Sequence, residues 1–87
     1  MKELLQKLTQ VPSPSGYESA IREVILSEIK PHVSEIRVDA LGNLIARKGA
    51  KTESGLRIMI AAHMDELGVI VSHIEKNGLA RFSNIGS

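Results

Sequence analysis

The sequence predicts an α/β fold, with two N-terminal helices packed on one face of a small mixed sheet. Three observations carry that expectation. Apolar residues recur at helical spacing through Leu4, Leu5, Leu8 and Val11, and again through Ala20, Ile21, Val24, Ile25 and Ile29. Two later stretches alternate apolar and polar residues on either side of turn signals, as half-buried hairpins do. Between them, Ile58, Met59, Ile60, Ala61 and Ala62 form an unbroken apolar run. Such a run reads as a strand buried on both faces, flanked by the hairpin strands.

The first helix is expected near residues 2–10. Pro12 and Pro14 stop it, because proline lacks the amide donor and clashes with the preceding turn. The second is expected to start near Gly16 or Tyr17, with Ser15 as N-cap and Glu18 completing a capping box, and to end at Pro31. Ile36 and Val38 then lead into a turn at 39–42, and Leu44 and Ala46 return from it. Gly42 supplies positive φ there, and Asp39 bonds the turn backbone. Residues 49–55 read as a polar surface loop. After the apolar run, residues 68–74 read as a strand, Lys76-Asn77-Gly78 as a hairpin turn and 79–82 as the return strand.

Composition narrows the function. The chain has 87 residues, and a domain that small buries only about 60–65% of the surface its unfolded chain exposes. The net charge of +1 asks for no nucleic acid, membrane or acidic partner. Tyr17 and Phe82 are the only aromatic residues, too few for base-stacking platforms. With no cysteine there is no disulfide, thiolate metal site or thiol nucleophile, which suits a cytoplasmic chain. The mixed charges of the first seven residues do not form a signal peptide, and no apolar run is long enough to span a membrane.

The apolar run ends abruptly in His63-Met64-Asp65-Glu66. Open α/β sheets place their chemistry at the carboxyl ends of buried strands. If the backbone stays extended, His63 and Asp65 point to the same side. A carboxylate gripping the second nitrogen of an imidazole is the usual arrangement of a metal-ligating histidine. Glu66 reads either as a further acceptor or as a solvated corner residue. His73 alternates with strand residues, and His32 sits just past a helix C-terminus, where the dipole favours it; both have structural accounts. Neither a nucleophile elbow, a dinucleotide fingerprint nor a phosphate loop occurs.

Three motifs occur in order: Gln10-Val11-Pro12-Ser13-Pro14-Ser15-Gly16-Tyr17-Glu18, then Asp39-Ala40-Leu41-Gly42-Asn43-Leu44-Ile45-Ala46, then Ala61-Ala62-His63-Met64-Asp65-Glu66-Leu67-Gly68. Together they resemble the start of the dinuclear-metal aminopeptidases that assemble as hollow tetrahedra. That family includes glutamyl and deblocking aminopeptidases and relatives that carry the name endoglucanase. The stretch 78–86 resembles the start of the family's inserted β dimerisation domain.

The resemblance implies that residues 1–70 are the N-terminal part of a metallo-aminopeptidase catalytic domain and 71–87 the start of the dimerisation domain. It implies that His63 is a metal ligand and Asp65 the catalytic aspartate that orients it. It implies peptide substrates, two divalent metal ions (zinc or cobalt) in the complete enzyme, and a homo-oligomer. The bridging aspartate, the general-base glutamate, two further carboxylate ligands and the second histidine of the family have no counterpart among these residues. Two metal ions clamp both oxygens of the displacement, and one catalytic zinc usually takes three protein ligands. The chain is therefore expected to be inactive alone, as an N-terminal segment completed by the remainder of the enzyme or by another chain. The competing expectation is a non-catalytic truncated or split chain that folds against a complementary partner. A third, glycoside hydrolysis, needs two carboxylates astride the scissile bond, and only the Asp65-Glu66 neighbours offer a pair.

Overall fold

A computed structural model describes residues 1–49 and 54–86. Helix α1 covers Lys2–Thr9 and helix α2 covers Ser19–Ile29, followed by a short 3-10 turn at Lys30–His32. The strands are β1 (Glu35–Val38), β2 (Leu44–Arg47), β3 (Gly68–Ile74) and β4 (Ala80–Ile85). Residues 50–53, part of the expected polar loop, lie outside the described residues.

Both helices form where the apolar spacing puts them. They meet each other, with Ile21 of α2 the buried apolar residue of the described structure at 2% exposure. Lys7 and Glu28 pair across them at 2.6 Å, but both side chains are well exposed and the pair adds little. Helix α2 begins later than expected. No side chain caps it, because both members of the expected capping box are engaged elsewhere. The Ser15 hydroxyl donates to Asp65 Oδ2. Glu18 Oε1 accepts from the Gly16 amide at 2.7 Å.

The hairpins follow the alternation. β1 and β2 pair antiparallel, with Ile36 opposite Ala46 and Val38 opposite Leu44. In their turn Gly42 has φ +88°, which a residue with a Cβ rarely adopts. Asp39 Oδ1 accepts from the amides of Leu41 at 3.0 Å and Asn43 at 2.9 Å. Arg22 reaches from α2 to the Gly42 carbonyl at 2.9 Å, joining helix to turn. β3 and β4 pair antiparallel with a bulge between Val71 and His73. β4 runs to Ile85, three residues beyond the expected end of the return strand.

One expectation needs correction. Residues 56–62 belong to no strand among the described residues, and they are exposed rather than buried on both faces. Ile58 is 78% exposed and Ile60 91%. The apolar run is there, but none of the described residues covers it. Each hairpin satisfies its ladder internally, so the sheets are two separate antiparallel ribbons rather than one mixed sheet with a central strand. The parallel pairing that does occur is a single bridge between Pro14 and Glu66.

Candidate functional site

That bridge builds the site. Pro12 and Pro14 fix φ on either side of Ser13, and Ser13 is buried. The Glu66 amide donates to the Ser13 carbonyl at 2.8 Å, and the Ser15 amide donates to the Glu66 carbonyl at 3.2 Å. Glu66 Oε1 accepts from the Ser13 amide at 3.1 Å. Glu66 is exposed, as a corner residue would be, and its carboxylate accepts from a backbone amide of the N-terminal loop rather than from His63.

Held this way, the corner brings His63 and Asp65 together. His63 Nδ1 lies 2.9 Å from the Asp65 carbonyl and 3.3 Å from Asp65 Oδ1. Both neighbours are acceptors, so Nδ1 is the nitrogen that donates, and in the neutral ring the lone pair lies on Nε2. The ring is 85% exposed, so that lone pair is accessible. The Ser15 hydroxyl on Asp65 holds the carboxyl below its usual range; partial burial opposes this, and the residue's own backbone amide and the His63 ring reinforce it. Asp65 is therefore a carboxylate at neutral pH.

The three sequence motifs converge here. A cleft of about 270 Å³ is lined by Glu18 from the first, by Leu41, Gly42, Asn43 and Leu44 from the second, and by residues 62–65 from the third. A neighbouring cleft of about 380 Å³ lies between Ser15, His63, Asp65, Leu67 and Gly86. His73 lies elsewhere, on β3, with Nε2 3.8 Å from Glu75. His32 ends the 3-10 turn after α2. Sequence reasoning missed the part played by Ser15. Its neighbours suit a helix cap, and no local spacing links it to a carboxylate 50 positions away.

Among the described residues, no group of three or more histidine, aspartate or glutamate side chains could hold a metal ion. One accessible imidazole nitrogen, beside a carboxylate engaged through both oxygens, does not make a complete ion site. The residues present fit one ligand position and its support, and no reaction step through a metal follows from them.

Known proteins resemble this chain over nearly its whole length. A putative aminopeptidase of Acetivibrio thermocellus is 54% identical over 99% of this chain, which covers 25% of that protein. The solved structure of an aminopeptidase from the archaeon Desulfurococcus kamchatkensis superposes with a TM-score of 0.86 at 43% identity, over 98% of this chain and 23% of that one. A Thermotoga maritima structure named as an endoglucanase gives 0.83 at 41% identity, over 95% of this chain and 26% of that one. The chain thus spans about a quarter of the length of the relatives it matches. The M42 glutamyl aminopeptidase family matches residues 42–87, more than half of the sequence and inclusive of the whole His63 corner, so the chain belongs to that family.

Proposed function

We propose that this chain is the N-terminal segment of a metal-dependent aminopeptidase that removes N-terminal residues from peptides. In that enzyme His63 supplies one metal-ligand nitrogen through Nε2, and Asp65 orients the ring. The observation that carries the reading is the seating of His63 Nδ1 on Asp65, which leaves Nε2 as the ring's accessible lone pair. Further ligands and a general base come from the remainder of the enzyme or another chain, and zinc or cobalt ions suit a nitrogen-and-carboxylate set. Residues 71–87 then begin a dimerisation domain of a cytoplasmic homo-oligomer; the proposed boundary falls within β3.

A second reading is a non-catalytic chain that folds against a complementary partner. The exposed apolar segment 56–62 favours it. Glycoside hydrolysis fits less well. The Asp65 oxygens face Ser15 and His63, and Glu66 Oε1 is on the Ser13 amide, so the two carboxylates do not stand astride an open cleft.

A peptidase and metal-content assay on three samples tests the proposal. They are the 87-residue chain, a completed enzyme in which this chain replaces the matching quarter of the Desulfurococcus aminopeptidase, and that enzyme with His63→Ala. The chain alone should hydrolyse no aminoacyl substrate even with excess zinc or cobalt. The completed enzyme should turn over, and His63→Ala should lose metal and activity together. Metal-dependent turnover by the isolated chain would overturn the need for the remainder. Full turnover and full metal content in the His63→Ala enzyme would overturn the ligand assignment.

A further inference from the structure

We propose that Ser15 is a positioning residue for the aminopeptidase reaction, its hydroxyl locking the Asp65 carboxylate in the rotation that keeps the other oxygen on His63. The inference rests on the proposed role of Asp65 and adds a residue 50 positions away in the chain to it.

The terminal torsion of an aspartate is broad and roughly two-fold, so a carboxylate with one partner swings easily. Asp65 has two. Oδ2 accepts the Ser15 hydroxyl and Oδ1 lies 3.3 Å from His63 Nδ1. With both ends held, the carboxylate stays beside a ring nitrogen that also meets the Asp65 carbonyl at 2.9 Å, and the two contacts together set the direction in which Nε2 points.

The backbone of Ser15 is itself held on both sides. Its amide is on the Glu66 carbonyl, and the chain turns immediately after it, with the Tyr17 amide donating to the Pro14 carbonyl at 2.9 Å. Glu66 grips Ser13 through its own amide and its side chain. From the far end of the second hairpin, Gly86 leaves room for the hydroxyl, since a Cβ added there would stand 2.8 Å from Ser15 Oγ. These constraints place the hydroxyl on the carboxylate and make the N-terminal loop part of the site's geometry.

The test is a double-mutant cycle in the completed enzyme, with kcat and KM measured for Ser15→Ala, Asp65→Ala and both together. Ser15→Ala should lower kcat about ten-fold, the low end of the effect of a partner behind a ligand, and leave KM unchanged. Because Ser15 acts through Asp65, adding Ser15→Ala to Asp65→Ala should cost nothing more. An unchanged kcat in Ser15→Ala, a rise in KM alone, or losses that multiply in the double variant would each overturn the inference while leaving the role of Asp65 intact. Wild-type activity in Asp65→Ala would instead overturn the proposed function itself.

Discussion

Asp39 sets the turn of the first hairpin through a single side chain. It stands at the start of a turn with Gly42 and Asn43 behind it, and it bonds as that pattern demands. The Asn43 side-chain amide, then its backbone amide, hold the Asp39 carboxyl below 3.8. A carboxyl whose folded pKa is depressed stabilises the fold above its ordinary titration range, and that contribution is lost as pH falls through the folded value. Hydrogen-exchange protection of the Leu41 and Asn43 amides should therefore hold above the ordinary aspartate range and decline as pH falls through the depressed folded value, with Asp39→Asn flattening the decline. Equal pH dependence in the two proteins would remove Asp39 as the cause. His63 and Asp65 are likewise legible, because they are two apart and one local geometry serves both. Ser15 is not. Its partner is chosen by tertiary closure, and nothing within its own neighbourhood reports that choice.

At the scale of elements, legibility follows from how local the deciding contacts are. The two hairpins appear where alternation and turn residues put them, since their ladders close within one stretch of chain. Both helices appear too. The start of α2 moves from Gly16 or Tyr17 to Ser19 because Ser15 and Glu18 bond outside the helix. What α2 contributes to stability runs through Ile21, which a truncation would replace with a void. Ile21→Ala should cost about 2–5 kcal/mol in urea unfolding, the range for emptying a buried isoleucine site. A loss of a few tenths would mean that α2 is held by something other than its buried face.

The molecule as a whole is long and thin. It measures 65 × 28 × 17 Å, with a radius of gyration of 17.7 Å, where a compact chain of this length has about 12 Å. The two hairpins form separate sheets, and the apolar run at 56–62 lies between them in the chain. The sequence marks it for burial, but the layers that would bury it are not among the described residues. The isolated chain should bind a hydrophobic dye or self-associate, and Ile60→Lys should weaken both. Sedimentation as a monomer that leaves the dye unbound would contradict this. The bridge between Pro14 and Glu66 also bears on the order of assembly. Helices and hairpins form from neighbours, whereas the loop from Ser13 to Glu66 must close over 53 positions, at an entropic cost of roughly 3–4 kcal/mol by the logarithmic law. Contacts between distant parts of a chain form slowly. The aspartate and histidine of the corner therefore exist as neighbours from the moment they are synthesised, but they acquire a fixed orientation only when the beginning of the chain returns to meet them.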